Sequence, residues 1–410
     1  MPSKRIKRNQ PHKRQESIDD EDIISDLPRN VIDCILGKMP LRDAIRTSVL
    51  SKKWRLNYLT IPQLVFDDQF CKELIDFAKK KKTRKFFNYQ FNEIVTNSLM
   101  LHPGQIERFK VCIPKFSILG YPNVNKWMLY LSTKNIKKLT LEYKKNSVRH
   151  KLPPHFFSCL DLTYLKLRNF DFAPPPELKG FLYLEKLVFF GVHLANNCFE
   201  SFLSSCPVLQ KLHLRGCSGV CHFNIIGSKL KILCIKADDK FESISLENAP
   251  NLTKVTVALE KAFLAETQVL QMLSTSLDSL KIIELKAVNF MDFDQISVVC
   301  LIRSAPNLQE LYIEASTVTL NQEQVSGYLK LMDCTTFPLS KLHLVKLTKI
   351  SGFDPEFEFI RFLLFSSPSL VTMSVMEHPE LEAVEALDIA RKLLQLRPPT
   401  AVHINFLKES

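Results

Sequence analysis

Two short segments carry the side chains best suited to chemistry. Lys211-Leu212-His213-Leu214-Arg215 and Tyr164-Leu165-Lys166-Leu167-Arg168 alternate polar or aromatic residues with leucine. In an extended chain alternate residues lie on the same side, so Lys211, His213 and Arg215 share one face, and Lys166 and Arg168 share a face with Tyr164. These residue types offer electrostatic attraction of an anion and no bond-making step. Elsewhere Cys217, Cys221 and His222 form a C-x3-C-H cluster, but no fourth ligand stands near it and we expect no metal there. No G-x-S-x-G, H-E-x-x-H or Walker-type loop occurs, and only ten glycines are present in 410 residues. That composition leaves little material for phosphate loops, so neither catalysis nor a cofactor is expected. Asn251-Leu252-Thr253 matches a glycosylation sequon, but Leu252 falls at a position reserved for an apolar core and the match is discarded.

The elements that position these side chains follow from the leucines. Eleven times between Ile106 and Val375 an apolar residue is followed by two variable ones, an apolar one, a variable one and another apolar one. The middle residues of the pattern are Phe109, Leu139, Leu165, Leu187, Leu212, Leu233, Val255, Ile283, Leu311, Leu342 and Met373, and from Leu139 onward they recur every 21 to 31 residues. Such periods mark leucine-rich repeats. The last two apolar residues of each unit lie on one face of a short strand and point inward, and no unit buries that face alone. The expected fold is an α/β solenoid, a leucine-rich repeat horseshoe with one parallel sheet roughly 50 Å long at about 4.8 Å per strand. In the first seven repeats, ten of twenty-one outward positions are Lys or Arg and one is acidic. Lys166, Arg168, Lys211, His213 and Arg215 are therefore the candidate substrate-binding residues, and the expected partner is a protein that is acidic or phosphorylated at its contact.

The rest of the composition bounds the compartment. The formal net charge is +12, and Lys4, Arg5, Lys7, Arg8, Lys13 and Arg14 place six cations in the first fourteen residues. Residues 1–21 read as a disordered basic tail, either a nuclear import signal or a solvated arm. The eleven cysteines lack paired short spacings and no apolar leader precedes them, so reduced thiols in nucleus or cytoplasm are expected. No run approaches the ~18 apolar residues of a membrane span, so no membrane partner is expected. A second basic run, Lys79 to Lys82 with Arg84 and Lys85, is expected to end a helix containing Leu74, Ile75 and Phe77.

Residues 22–60 depart from the repeat pattern and read as three short helices. Pro28 suits the first turn of a helix with Val31, Ile32, Ile35, Leu36 and Met39 at helical spacing, and Pro40 stops it. Leu41, Ala44, Ile45, Val49 and Leu50 belong to a second helix, and Ser51 is placed to cap a third with Trp54, Leu56 and Tyr58. About forty residues bury too little apolar surface for secure independent stability, which suggests a docking module. Leu27-Pro28 at the start, the Ile35-Leu36 pair, Pro40, and the ending Arg46-Thr47-Ser48-Val49-Leu50-Ser51-Lys52-Lys53-Trp54-Arg55 resemble a plant F-box.

With that module in front, the whole chain resembles plant F-box/FBD/LRR-repeat proteins. The resemblance implies repeats at 61–337 and an FBD-like region at 338–410 that continues and caps them, with a helix around Ile389 and Leu393 and a final strand over Ala401 to Leu407. It also implies the substrate-recognition subunit of a Skp–cullin–F-box ubiquitin ligase. In that reading Leu27, Pro28, Ile32, Ile35 and Leu36 contact a Skp-type adaptor that joins cullin and RING subunits, Trp54 is the packing tryptophan, and the repeats recruit a protein substrate. The alternatives are a basic repeat protein binding nucleic acid, disfavoured because regular aromatic interleaving is missing, and a scaffold that works without a ligase.

Overall fold

The computed structural model describes residues 27–408 apart from 40, 51–53, 55–56, 58–60, 73, 75–83, 115–122, 145–148, 196–197, 238–242, 260–275, 291–293 and 317–337. The basic tail, Pro40, Ser51, Leu56, Tyr58 and the run Lys79 to Lys82 lie outside the described residues. Two compact units divide between Ile61 and Pro62.

In the first unit, helix Arg29–Lys38 starts where the carbonyl of Pro28 accepts hydrogen bonds from the N–H groups of Val31 (2.9 Å) and Ile32 (3.1 Å). Proline serves well just before a helix because its fixed φ is already helical and the missing N–H would have had no partner there. Helix Leu41–Arg46 follows and runs into a 3-10 turn, Thr47–Val49. Ile32, Leu36, Ala44, Trp54 and Ile61 form the core of this unit, with Leu27 and Met39 packed against it. Arg29 Nη1 donates to Asn57 Oδ1, which ties the first helix to the segment around Trp54.

The strands of the second unit, in chain order, are β1 (Gln63–Phe66), β2 (Arg108–Ile113), β3 (Lys138–Tyr143), β4 (His150–Lys151), β5 (Tyr164–Arg168), β6 (Phe170–Phe172), β7 (Lys186–Phe190), β8 (His193–Leu194) and β9 (Lys211–Arg215). They continue as β10 (His222–Asn224), β11 (Ile232–Ala237), β12 (Ser243–Ser245), β13 (Lys254–Leu259), β14 (Ile282–Val288), β15 (Glu310–Ala315), β16 (Leu344–Ile350), β17 (Thr372–Glu377) and β18 (His403–Leu407). Thirteen of them build one sheet in the order β1-β2-β3-β5-β7-β9-β11-β13-β14-β15-β16-β17-β18, each pair parallel. The short strands β4, β6 and β8 form a three-stranded sheet, and β10 pairs with β12. A parallel sheet needs a crossover after every strand. Here the crossovers are turns, short helices such as Cys198–Ser204, and longer ones such as Asp354–Ser366.

The α/β solenoid is therefore the observed fold, with two more rungs than the eleven repeats. The first, β1, carries the same motif in Ile61/Leu64/Phe66, and Leu64 and Phe66 are buried. The last, β18, is the strand expected near the carboxyl terminus. It extends the sheet beside β17, and its inward residues Ile404 and Phe406 are half-buried.

One repeat sits in a different register from the one read in the sequence. Val345 and Leu347 stand opposite Leu311 and Ile313, so the motif is Leu342/Val345/Leu347, three residues later than Leu339/Leu342/Leu344. The backbone ladder fixes this, because His343 N–H donates to Gln309 O just as Gln309 N–H donates to Lys281 O. Arg84 and Lys85 lie in helix Arg84–Met100, whereas Ile75, Phe77 and Lys79 to Lys82, on which the expected helix end rests, lie outside the described residues.

Large aromatics fill the space behind the rungs. Phe66, Phe109 and Trp127 pack edge to face at 6.1 and 6.3 Å, and Phe172 meets Phe189 and Phe202 at 5.0 and 4.8 Å. Each fully buried ring contributes roughly 1.5–3 kcal/mol, so the core is spread along the array and not gathered at one centre.

Candidate functional site

On the F-box-like unit, the helix Arg29–Lys38 divides its apolar residues between two sides. Ile32 and Leu36 point inward and are 5% and 0% exposed, whereas Val31 and Ile35 are 37% and 39% exposed. Pro28 is exposed as well, and the spacing 28, 31, 35 aligns the three on one helix face. Val49 (84%) and Leu50 (69%) add exposed apolar surface after the second helix. Of the six residues expected at the adaptor contact, Pro28 and Ile35 lie on the surface, Leu27 is half-buried, and Ile32, Leu36 and Trp54 are core. Val31, Val49 and Leu50 are exposed apolar residues outside the candidate set; helical spacing places Val31 with Pro28 and Ile35, whereas Val49 and Leu50 belong to a separate turn, and spacing does not say which side faces water.

The second surface is the outward face of the main sheet. Register brings Lys166 and Arg168 on β5 next to Val188 and Phe190 on β7, and these next to His213 and Arg215 on β9. Phe190 lies between two cations, with Lys166 Nζ 5.3 Å and the Arg215 guanidinium 5.8 Å from its ring centre. Lys186 Nζ stands 5.6 Å from the Tyr164 ring. Such contacts hold the cations in place without cancelling their charge.

Lys166 is committed elsewhere as well, in an ion pair of 2.7 Å with Glu142 Oε1. Glu142, the one acidic outward position of the first seven repeats, is only 3% exposed, and Thr140, Cys112, Val188 and Ala258 at other outward positions are buried too. Burial alone would raise the Glu142 carboxyl, but the hydrogen bond and charge of Lys166, joined by Lys144, hold it below the usual carboxylate range. Burial, with Lys186 and Lys211 beside it, lowers the His213 imidazole from its ordinary value, so His213 is neutral at pH 7. The outward face changes character at β14. Glu284 takes Lys254 and accepts from Thr256 Oγ1, while Glu314 pairs with Lys349.

The site offers no activated nucleophile. Burial pushes the thiols of Cys71, Cys112 and Cys159 up to about 12, which keeps them protonated and inert. Cys217 is buried with its Sγ directed at the Phe189 and Arg215 carbonyls, and among the described residues no group of three potential metal ligands converges. Asn251 Nδ2 donates to Ser228 O at 2.6 Å and so serves the turn before β11. No helix among the described residues is long and apolar enough to cross a membrane.

Comparison with known proteins finds a family match in each unit. An F-box domain model covers residues 24–56, and a model described as FBD-associated F-box protein At5g56370, LRR repeats, covers residues 124–269. The F-box/FBD/LRR-repeat protein At1g13570 of Arabidopsis thaliana is 34% identical over 391 residues, which is 86% of this chain and 91% of that protein. The chain belongs to the F-box/FBD/LRR-repeat family. Two further Arabidopsis thaliana relatives of this F-box/FBD/LRR-repeat protein are the putative FBD-associated F-box protein At1g05080, 22% identical over 92% of this chain and 96% of its own length, and the F-box/FBD/LRR-repeat protein At5g56420, 26% identical over 58% and 55%. Neither matching model is that of an enzyme. An F-box joined to leucine-rich repeats points to a recognition role, with the F-box as the element that generally binds a Skp-type adaptor.

Proposed function

We propose that the protein is the substrate receptor of a Skp–cullin–F-box ubiquitin ligase. Its F-box docks a Skp-type adaptor, which links it to cullin and RING subunits, and the outward face of its sheet holds a protein substrate. Tethering raises the local concentration of substrate lysines near the ubiquitin donor, so the contribution is proximity and not bond-making. The observation that carries the reading is the exposed stripe of Pro28, Val31 and Ile35, extended by Val49 and Leu50, on a unit whose core is already filled by Ile32, Leu36 and Trp54. Apolar side chains left in water on so small a unit are explained by a partner that covers them. The basic cluster Lys4 to Arg14 supports placing the receptor in the nucleus as well as the cytoplasm.

Capture of a plant Skp-type adaptor by the co-expressed full chain tests the proposal. Capture that disappears in a Val31→Glu/Ile35→Glu variant with an unchanged melting temperature supports it, and capture indifferent to that change rules out this docking face.

A further inference from the structure

Four consecutive rungs of the main sheet, β5, β7, β9 and β11, present six cations and no carboxylate at their outward positions. Register sorts five of them into two rails and leaves Lys166 in the row between. Lys186 and Lys211 stand side by side on one. Arg215 and Lys236 stand side by side on the other, with Phe190 between Arg168 and Arg215. The rails are four residues apart along each strand, about 13 Å at 3.3 Å per residue. Between them runs a row that starts at Lys166, whose charge Glu142 offsets, and continues through the uncharged Val188, His213 and Cys234. Lys211 and Arg215 are exposed, and among the described residues no acidic side chain pairs with Lys186, Lys211 or Arg215.

The patch also has ends. Glu142 on β3 neutralises Lys166 at one, and Glu284 on β14 takes up Lys254 of β13 at the other. The four rungs from β5 to β11 span about 14 Å at 4.8 Å per strand, the length of roughly four extended residues. An extended backbone laid over the middle row directs successive side chains to opposite sides, one toward each rail. A single phosphate calls for donors that converge on one point, whereas these cations are spread along two lines. Several carboxylates match the spread.

We propose that this patch captures a short unphosphorylated acidic segment of a protein, with about four extended residues in contact, running along the rungs with its carboxylates alternating between the two rails. The inference rests on the receptor reading only in taking the captured protein to be the substrate.

The test is a fluorescence anisotropy titration of the purified full chain with a labelled peptide of six alternating Asp and Glu residues flanked by Gly and Ser. A peptide with one phosphoserine in a neutral background and a ten-nucleotide single-stranded RNA are run beside it. The acidic peptide is expected to bind most tightly, and Lys186→Glu/Lys211→Glu to weaken it about tenfold or more. Lys126→Glu/Lys229→Glu makes the same change in net charge at exposed sites off the rails, and binding there is expected to stay within about twofold. Absence of binding, equal loss in both double variants, or tighter binding of the phosphoserine peptide or the RNA would overturn the proposal. Adaptor capture is read on the same preparations. Lost capture with retained peptide binding counts against the ligase reading alone, and retained capture without peptide binding against the patch alone.

Discussion

Ile35 and Leu36 are neighbours in the chain and opposites in environment, the first 39% exposed and the second fully buried. Leu36→Ala removes methyl groups from a core of a few residues and is expected to cost about 3 kcal/mol, enough to unfold so small a unit. Ile35→Ala is expected to cost about 0.5 kcal/mol or less while weakening adaptor capture. Thermal melts of residues 1–61 within the full chain, set against capture by each variant, separate the two effects. Glu142 makes a second prediction at this scale. Its carboxyl is held below its ordinary value of 4.5 by Lys166 and Lys144. A carboxylate with a lowered folded-state value stabilises fully above its unfolded value and loses that contribution as pH falls through the folded value. The contribution of Glu142 to the stability of the repeat unit should therefore be flat above about pH 5 and decline below 4.5, and Glu142→Gln should shrink the acid-side decline in a pH series of urea melts.

At the scale of the element, the corrected rung β16 gives a direct check on register. Val345 is fully buried and Leu344 is half-exposed on the outward face. Val345→Ala should cost about 2 kcal/mol and Leu344→Ala less than 1, an order that the earlier register would reverse. The turn that leaves each rung is equally specific. Asn169, Gly191 and Gly216 follow β5, β7 and β9 with φ of 61°, 57° and 55°, a left-handed conformation that side chains other than Asn resist. At Gly191 an added Cβ would also lie 2.4 Å from Asn169 Oδ1. Gly191→Ala should lower stability by about 2 kcal/mol, read as a lower urea midpoint. Most of the rungs were legible because an apolar pair at i and i+2 before and after a variable residue says which face is inward. The exception at Leu339/Leu342/Leu344 arose because leucines three residues apart fill two adjacent frames, and only pairing with Leu311 and Ile313 distinguishes them. Candidate contacts were less legible than the fold. Periodicity identifies Ile32, Ile35 and Leu36 as apolar helix positions alike, and only packing against Trp54 and Ala44 decides which stay outside. Likewise the pairing of Lys166 with Glu142 joins residues a whole repeat apart in sequence.

For the whole molecule, the account is of two units with separate tasks, a small helical one with exposed apolar side chains and a long array whose outward face is cationic over part of its length. Among the described residues no group of three potential metal ligands converges, and burial keeps the thiols of Cys71, Cys112 and Cys159 protonated. Two substitutions on each surface should therefore act independently: Lys186→Glu/Lys211→Glu should leave adaptor capture intact, and Val31→Glu/Ile35→Glu should leave acidic-peptide binding intact, since sites without shared partners add without coupling. The central claim is that the F-box stripe docks a Skp-type adaptor, and the most direct measurement is the affinity of the purified full chain for that adaptor by calorimetry, wild type against Val31→Glu/Ile35→Glu. The account predicts a stable complex that the double variant weakens at least a hundredfold, about 2.7 kcal/mol, with no change in melting temperature. No complex with the wild type, or equal affinity for both proteins, would contradict it.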